Sequence, residues 1–494
     1  MQPNTASRPD ISPRHIIIGA GMAGLLAGIR LLERGETDFT IYEKGDAVGG
    51  TWRDNTYPGL TCDVPAHSYT YSFAPNPDWS AYFAPGPEIR AYFERIARAH
   101  GLHDHIRFGA EVARCEWTGQ DWRVVDAKGH QDRADVVIAA TGVLHHPKYP
   151  DIPGLADFSG ACFHSARWDH TVPLDGKRIG VIGNGSTGVQ IVSALASRAA
   201  RLVQFQRTPQ WIMPVPDIRY TDEDRRAFHD DPMRIEAVRS GPEAQARRAR
   251  FTSAIIDAES TELAEIQGIV ERNLEDSVTD PVLRAKLRPD YRAACKRMVF
   301  SPGYYTEVQR PSVFVVTGSI ARIEADGVRL QDGIFHSLDI LVLATGFHAD
   351  RFVRPAQVLG EQGIDLDTVW RTDPTAYYAV AIPHFPNFFL INGPTGPVGN
   401  FSLIDIAEKQ WDYIAQLVDL IRCGEAHAVA PTDAALAAYE RRRREAARRT
   451  VFATGCDSWY LGATGEPQVW PWSYAHFAEA MAHPRLDDYA LAGP

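Results

Sequence analysis

Residues 15–24 read HIIIGAGMAG, a short apolar run followed directly by Gly19, Gly21 and Gly24. The apolar run predicts a strand that is buried on both faces, and residues 25–34 predict a helix after it. Glycines at this spacing allow a tight turn, close approach of the backbone to a pyrophosphate, and close packing of the helix on the strand. The free N–H groups and positive dipole end of the helix would face the phosphates. The stretch therefore predicts a dinucleotide site.

An acidic residue completes this first unit. A second strand is predicted at residues 39–42, and Glu43 follows it, 24 residues after Gly19. A carboxylate at the end of this second strand can accept hydrogen bonds from a ribose diol. The first site is therefore expected to favour a dinucleotide whose ribose 2′-hydroxyl is free.

The same unit occurs a second time. An apolar run at residues 178–182 leads into Gly183, Gly185 and Gly188, and the residue at the offset of 24 is now Arg207. A guanidinium binds a 2′-phosphate through forked, charge-assisted hydrogen bonds, whereas a carboxylate would repel it. A single GxGxxG is weak evidence, because glycine-rich turns are common. Two copies with opposite charges at one offset predict two dinucleotide sites, the second of them for NADPH.

A further repeated feature supports this pairing. Residues 135–142 and 339–346 are both apolar strands that end in Ala-Thr-Gly, and each is expected to return to the sheet begun by its own glycine motif. The second unit is longer by 40 residues, and much of the excess is expected in a helical insertion at about 216–294. The predicted fold class is α/β, with two doubly wound, Rossmann-like dinucleotide-binding domains and a helical insertion in the second.

Composition narrows the class of protein. Of the 494 residues, 45% are hydrophobic and 23% are charged, as in ordinary globular chains. Acidic residues outnumber basic ones by 62 to 51, and the formal net charge of −11 argues against a nucleic-acid partner. Because no apolar stretch is long enough to span a bilayer and the N-terminus lacks the apolar core of a signal peptide, no membrane partner and a cytoplasmic location are expected. The six cysteines are scattered, which favours reduced thiols over disulfides, and no metal site is expected.

Several further motifs are shared with a known family. Residues 49–63 read GGTWRDNTYPGLTCD, and residues 158–169 read FSGACFHSARWD, which matches the signature FxGxxxHxxxW. The other marks are QRTP at 206–209, Lys296-Arg297 ahead of Tyr304-Tyr305, Ala344–Phe347, and CDSWY at 456–460. With these motifs the chain resembles the class B flavin monooxygenases and, within them, the type I Baeyer–Villiger monooxygenases. Trp168 favours that branch, because N- and S-oxygenating members usually carry Tyr or Phe there.

The resemblance implies an enzyme that contains FAD, uses NADPH and O₂, and converts a ketone to an ester or lactone through a C4a-peroxyflavin. That chemistry needs a fixed cation beside the flavin to stabilise negative oxygen. Arg297 matches the family's catalytic arginine, and Asp63 matches the carboxylate that orients it. Thr208 and Lys296 match positions that help Arg207 to hold the 2′-phosphate. The remaining cofactor-binding positions are Gly50, Thr51, Trp52 and Asp63 toward FAD, and Ser186, Thr187 and Gln190 toward NADPH.

The same resemblance implies a division of the chain. Residues 1–147 would form the first part of an FAD-binding domain and residues 148–347 the NADPH-binding domain. Residues 348–494 would complete the FAD-binding domain and add a C-terminal lid. The ligands are expected in the cleft at the carboxyl ends of the strands, in a monomer or a small homo-oligomer.

Two other functions stay open at this point. The first is a heteroatom oxygenase of the same class that oxidises amines or sulfides, against which Asp63, Trp168 and Arg297 argue. The second is a non-oxygenating NADPH-dependent flavin reductase or oxidase. A disulfide reductase is disfavoured, because no close pair of redox cysteines follows the first glycine motif.

Other polar and aromatic residues are given structural roles or left undecided. His164 is expected to be structural and is assigned no proton transfer. The arginines of 441–449 are expected to form a solvated helix surface. Trp470 and Trp472 either line an apolar ketone site or pack the C-terminal lid, and the sequence does not choose between these alternatives.

Overall fold

Each of the two glycine motifs lies between a buried strand and a helix, as the sequence predicts. The computed structural model describes residues 12–397, 399 and 401–493. The first motif connects a strand at His15–Ile18 to a helix at Met22–Glu33, and the second connects Arg178–Ile182 to Ser186–Leu195. All four residues of the first strand are buried, as expected for a parallel strand covered on both faces.

The strands are numbered in chain order. They are β1 His15–Ile18, β2 Phe39–Tyr42, β3 Ile106–Arg107, β4 Val112–Trp117, β5 Trp122–Asp126, β6 Gln131–Ala134, β7 Val136–Ala139, β8 Ala161–His164, β9 Arg178–Ile182, β10 Arg201–Phe205, β11 Ile212–Pro214, β12 Val299–Ser301, β13 Val313–Val316, β14 Ile320–Glu324, β15 Gly327–Leu330, β16 Phe335–Ser337, β17 Ile340–Leu343, β18 Gln357–Leu359, β19 Phe388–Leu390, β20 Ala428–Pro431 and β21 Tyr489–Ala492.

The α-helices are numbered in the same way. They are α1 Met22–Glu33, α2 Thr51–Asp54, α3 Gly86–Ala99, α4 Ser186–Leu195, α5 Asp222–Asp230, α6 Pro232–Ser240, α7 Pro242–Ile256, α8 Thr261–Ser277, α9 Pro281–Leu287, α10 Tyr304–Glu307, α11 Leu366–Val369, α12 Leu403–Arg422, α13 Asp433–Ala447 and α14 Tyr474–Ala482. Within the described residues, none of these helices combines the length and apolar character needed to cross a bilayer.

The first sheet is parallel, with the strand order β19-β7-β1-β2-β3. The strand before the first Ala-Thr-Gly, β7, pairs with β1 in register from His15 and Val136. Helices α1 and α12 contribute to the core on one face, where Ile17 lies. Ile16 and Ile18 point to the other face, which packs with residues of a mainly antiparallel sheet of order β18-β4-β5-β6, in which β18 runs parallel to β4.

The second sheet repeats this plan, with the parallel order β13-β10-β9-β17-β8. Strand β17, before the second Ala-Thr-Gly, pairs with β9, which confirms the predicted return of each such strand to its own sheet. Helices α4 and α8 pack on one face, and the antiparallel sheet β14-β15-β16 contributes to the core on the other. The α/β fold with two Rossmann-like units is confirmed, and the antiparallel layers are a feature that the glycine motifs did not predict.

The predicted insertion is helical. Five helices, α5 to α9, occupy residues 222–287, between β11 and β12 of the second unit. Leu263, Ile266, Val270 and Leu274 on α8 are buried at spacings of three and four residues, so this helix presents one apolar stripe to the core. The insertion therefore supplies part of the second core and leads the chain back to the loop that carries Arg297.

One expectation about cysteines is wrong. Cys295 and Cys456 form a disulfide across 161 residues of sequence, whereas the scattered spacing favoured reduced thiols throughout. Sequence spacing gave no sign of the pair, because only the tertiary fold brings the two segments together. The other four cysteines are free, and no group of three potential metal ligands is found among the described residues.

A second expectation fails at one residue of the arginine run. Arg443 on α13 is fully buried, whereas a solvated helix surface was predicted for the whole run. Its guanidinium contacts both carboxylate oxygens of Glu440 at 2.8 Å and donates to the carbonyl oxygen of Pro467 at 2.8 Å. The buried charge is thus paired and hydrogen-bonded, as the low-dielectric interior requires. Arg441 and Arg442 are exposed, as expected.

Candidate active site

The first glycine motif forms an uncapped helix N-terminus. Gly19 has φ of 105°, and a Cβ on Gly24 would lie 1.8 Å from the Gly19 carbonyl oxygen, so neither position accepts a side chain without displacement. Gly50 faces this turn, since a Cβ on it would lie 3.1 Å from the Cα of Gly21. No described side chain caps α1, and its first N–H groups therefore remain available. These features fit the pyrophosphate of FAD.

Glu43 lies at the carboxyl end of β2 and is buried. Its Oε2 accepts a hydrogen bond from the backbone N–H of Ala20 at 2.8 Å, and its Oε1 accepts from the N–H of Gly45 at 2.7 Å. Arg53 donates to the same Oε1 at 2.7 Å. The carboxylate is thus fixed beside the glycine turn, where the sequence predicts a ribose acceptor, and Arg53 is a neighbour that the sequence argument did not identify.

The segment 49–63 continues from this turn toward the second sheet. The Trp52 indole donates a hydrogen bond to the Tyr69 hydroxyl at 3.1 Å, and the Tyr57 hydroxyl donates to Gln190 on α4 at 2.9 Å. The Gln190 amide in turn donates to the carbonyl oxygen of Thr61 at 3.1 Å. Gln190, which is a predicted cofactor-binding residue, is therefore engaged in joining the two units in this structure.

Asp63, at the end of that segment, forms a two-pronged ion pair with Arg297. The guanidinium donates from Nε to Oδ2 at 3.0 Å and from Nη2 to Oδ1 and Oδ2 at 2.7 and 2.8 Å. Both side chains are partly exposed, and 234 residues separate them in sequence. The structure thus brings together the two residues that were assigned the catalytic roles.

Electrostatics keep Arg297 charged. Burial by itself would lower the pKa of Arg297, but Asp63 and then Tyr460 oppose it, and the net result is a pKa above the ordinary arginine value. A fixed cation at this position can stabilise an oxyanion at any working pH.

The second glycine motif forms a similar turn with open space above it. Gly183 has φ of 114°, and a Cβ on Gly188 would lie 2.3 Å from the Gly183 carbonyl oxygen. No atom of the described residues lies within 4 Å of the Cβ position of Gly185. Helix α4 begins at Ser186 without a described side-chain cap, and Thr187 lies in its first turn. This turn fits the pyrophosphate of NADPH.

Arg207 and Thr208 line a cavity of about 770 Å³ at the end of β10. Lys286, Arg288, Asp290 and Thr317 also line it. Arg207 is 90% exposed and lies 3.6 Å from the carboxylate of Asp457. The cavity is thus rich in cations, as a 2′-phosphate site requires.

Lys296 lies beside this cavity, with its ammonium 4.6 Å from the ring centre of Tyr291. Burial lowers the pKa of Lys296, the Asp457 carboxylate raises it in part, and the Arg207 guanidinium lowers it further. Lys296 and Arg207 are therefore close enough to repel each other.

Two signature residues have structural surroundings. His164 accepts a hydrogen bond from the backbone N–H of Ala166 at Nδ1, so its Nε2 carries the proton and donates to the Gly346 carbonyl oxygen at 3.0 Å. Both ring nitrogens are used, which agrees with the expectation of no proton transfer. Trp168 is buried and packs edge-on against Phe163.

The C-terminal indoles pack against each other and their neighbours. Trp470 is 4% exposed, and its ring centre lies 4.7 Å from that of Trp472 and 5.3 Å from that of Phe477. Trp472 stacks on His476. These contacts favour packing of the C-terminal segment over lining of a ketone site.

Several site residues escaped the sequence argument: Arg53, Lys286, Arg288, Asp457 and Tyr460. Arg53 lies inside motif 49–63, and Asp457 and Tyr460 lie inside motif 456–460, so position within a motif was the available signal. Lys286 and Arg288 belong to the insertion, and no spacing relates them to Arg207.

Comparisons with known proteins agree with this geometry. Residues 13–222 match the family model described as flavin-binding monooxygenase-like. The chain is 46% identical over 480 residues to an uncharacterized monooxygenase of Mycobacterium bovis, covering 97% of this chain and 96% of that protein. It is 40% identical to a Baeyer–Villiger monooxygenase of Streptomyces coelicolor, covering 97% and 93%.

A solved structure is similar over the whole chain. Cyclohexanone monooxygenase from Rhodococcus sp. Phi1, bound to NADP⁺, superposes with a TM-score of 0.87 at 30% identity, covering 99% of this chain and 100% of that one. The two glycine turns and the Asp63–Arg297 pair thus occur in a chain with full-length monooxygenase relatives. The chain belongs to the flavin-binding monooxygenase family, among the relatives of the type I Baeyer–Villiger monooxygenases, and is an NADPH-dependent flavoenzyme of that kind.

Proposed function

We propose that this enzyme uses FAD, NADPH and O₂ to convert a ketone to an ester or lactone. The observation that carries the proposal is the two-pronged Asp63–Arg297 ion pair. Attack of a nucleophilic oxygen on a ketone places negative charge on the carbonyl oxygen, and a fixed guanidinium stabilises that charge. Asp63 occupies Nε and Nη2, and since no hydrogen bond from Nη1 is found among the described residues, an N–H group of Nη1 is available for the reacting oxygen.

The cofactor residues are assigned from the two turns. The first turn would let the pyrophosphate of FAD approach the backbone at Gly19, Gly21, Gly24 and Gly50. Glu43 would accept hydrogen bonds from the ribose of FAD. When bound, FAD accepts the hydride from NADPH and activates O₂. The second turn would bind the pyrophosphate of NADPH through Gly183, Gly185, Ser186, Thr187 and Gly188. The 2′-phosphate of NADPH would be bound by Arg207, Thr208 and Lys296.

The domain division is part of the same proposal. We assign residues 1–147 and 348–494 to FAD and residues 148–347 to NADPH. The arrangement of the sheets supports this, because strand β19 from the C-terminal part pairs with β7 of the first sheet. Asp63 and Arg297 then come from different domains, and the reacting ketone would lie between them.

The test uses the purified FAD-loaded enzyme with NADPH, air and cyclohexanone, which is the ketone in the name of the Rhodococcus relative. We expect the seven-membered lactone, measured by gas chromatography, with one NADPH oxidised per lactone. A panel of larger and open-chain ketones, a thioether and a tertiary amine are assayed in parallel. Oxidation of the thioether or amine alone would establish the heteroatom oxygenase instead, and NADPH oxidation with only peroxide as product would establish the oxidase.

Variants tie the activity to the ion pair. Arg297→Ala should keep its FAD and lose ester formation, because the cation is removed and the flavin turn is untouched. Arg292→Ala is the matched control, since Arg292 lies in the same basic stretch but pairs with Glu259 at the surface. Ester formation by Arg297→Ala at the wild-type rate would move the catalytic cation elsewhere.

A further inference from the structure

The C-terminal segment 456–460 is attached to the loop that carries Arg297. The Cys295–Cys456 disulfide brings the two Cα atoms to 6.2 Å, two residues before Arg297 and four before Tyr460. Tyr460 is 2% exposed, and its ring packs against Phe452 and Trp459 with centres 4.5 and 4.3 Å apart. The phenol is therefore fixed in place by packing.

The Tyr460 hydroxyl is buried and makes no hydrogen bond of regular geometry to a described residue. Its charged neighbours are Arg297 and Asp63: burial raises the pKa of Tyr460, while Arg297, within hydrogen-bonding reach, opposes the rise. The hydroxyl also lies 3.3 Å from the Cβ position of Gly399, so a side chain there would press against it. A buried polar group without a regular partner needs an explanation, and the neighbouring guanidinium provides one.

The Nη1 end of the Arg297 guanidinium is not engaged by Asp63. A guanidinium carries five N–H donors, and Asp63 engages those on Nε and Nη2. Among the described residues, no hydrogen bond from Nη1 is found. A guanidinium held along one edge can still rotate about that edge, and catalytic geometry tolerates little such motion.

We propose that Tyr460 is a positioning residue for Arg297, and that its hydroxyl accepts a hydrogen bond from Nη1 in the assembled enzyme. This rests on the proposed function. One Nη1–H then points to the phenol and the other remains for the ketone oxygen. Hydrogen bonds that are loose in the unliganded protein commonly tighten in the reactive complex.

The chemistry of the phenol suits this task. A second carboxylate would neutralise the guanidinium and weaken its hold on an oxyanion. A neutral hydroxyl that accepts a hydrogen bond fixes the direction of the N–H without cancelling the charge. The disulfide and the aromatic neighbours fix the phenol, which in turn fixes the cation.

The experiment compares the Tyr460→Phe holoenzyme with the wild type. Tyr305→Phe is the matched control, because Tyr305 is also buried with a hydroxyl lacking a regular partner, and its charged neighbour is Arg288. For Tyr460→Phe we expect kcat for ester formation about tenfold lower, the effect of one hydrogen bond to a charged group, with KM within twofold. The rate of flavin reduction should be unchanged, and the fraction of NADPH lost to peroxide should rise. Tyr305→Phe should match the wild type in each of these.

A crystal structure of Tyr460→Phe provides the readout that does not depend on activity. We expect Arg297 in more than one conformer, with the Asp63 contacts partly lost, while the wild type shows one conformer and an Nη1 to hydroxyl distance below 3.2 Å. An unchanged single conformer in the variant overturns the positioning role, even if ester formation falls. If the wild type makes no ester but the variant releases Arg297, the proposed function fails and the positioning role stands. If flavin reduction, FAD content and thermal stability fall together, Tyr460 is only structural and the proposal is wrong.

Discussion

Replacing Arg207 tests the assignment of the second cofactor. Arg207 lies at the end of β10, lines the cationic cavity, and is 90% exposed, with Asp457 as its ion-pair partner at 3.6 Å. Arg207→Ala is expected to remove the one or two charge-assisted hydrogen bonds that we assign to the 2′-phosphate. Because the guanidinium is exposed and Lys296 remains nearby, the loss should stay at about tenfold to a hundredfold in the Kd for NADPH.

The assay is calorimetric titration of the oxidised FAD-loaded enzyme with NADP⁺ and, separately, with NAD⁺. NAD⁺ lacks the 2′-phosphate, so Arg207 can make only a weak, solvent-exposed contact with it. The Kd for NAD⁺ should therefore change by less than about threefold. Raising the salt concentration should weaken NADP⁺ binding more in the wild type than in the variant, because one cation has been removed. Equal losses for the two nucleotides would refute the 2′-phosphate role of Arg207.

Asp457→Asn gives the opposite change at the same place. The Asp457 carboxylate lies beside Arg207 and would compete with a bound phosphate for that cation. Its neutral isostere should therefore tighten NADP⁺ binding by about twofold to fivefold, a small effect because both side chains are exposed. Weaker binding of NADP⁺ to Asp457→Asn would show that Asp457 contributes to the site in another way.

Three further predictions concern the rest of the fold. Gly24→Ala should abolish FAD retention, measured as flavin absorbance per protein, because its Cβ would lie 1.8 Å from the Gly19 carbonyl oxygen. Gly303→Ala is the tolerated control, because no described atom lies within 4 Å of the Cβ position of Gly303. Cys295→Ser should lower the free energy of unfolding by about 2–5 kcal/mol in oxidising buffer and have no such effect after reduction, since the disulfide closes a long loop. Burial lowers the pKa of His15 from its ordinary value to about 4. Between pH 6.5 and 4 the unfolded state therefore binds a proton that the folded state does not, and the free energy of unfolding should fall as the pH drops through this range. His15→Phe should reduce that fall by up to about 3 kcal/mol, and an unchanged curve of unfolding free energy against pH would exclude His15 as the cause.

Local sequence signals predicted the sheets well because the physics of a strand, glycine turn and helix is contained in about 30 residues. The pairings of β7 with β1 and of β17 with β9 followed from the repeated Ala-Thr-Gly ends. The antiparallel layers were missed, since the glycine motifs describe only the parallel sheets on which those strands pack. Helix periodicity found the insertion but not the role of its basic residues.

Residues that act together across long separations could not be predicted from spacing. Asp63 and Arg297 are 234 residues apart, and only the family resemblance paired them. Cys295 and Cys456 are 161 residues apart, and nothing in the sequence paired them. Arg443 looked like its exposed neighbours, because one turn of a helix carries no sign of which arginine faces the core.

The placement of Arg297 constrains how the two units can move. Arg297 is bonded to Asp63 of the first unit, and the disulfide next to it joins its loop to the C-terminal segment. Separating Arg297 from Asp63 would leave a partly buried charge unpaired, which is strongly unfavourable in proteins. The contact of Gln190 with Tyr57 and Thr61 is uncharged and is easier to break. Any movement of the proposed nicotinamide-binding unit that hydride transfer requires should therefore rotate about the Arg297 region and open at helix α4, which would keep the proposed catalytic cation in place while the cofactor shifts.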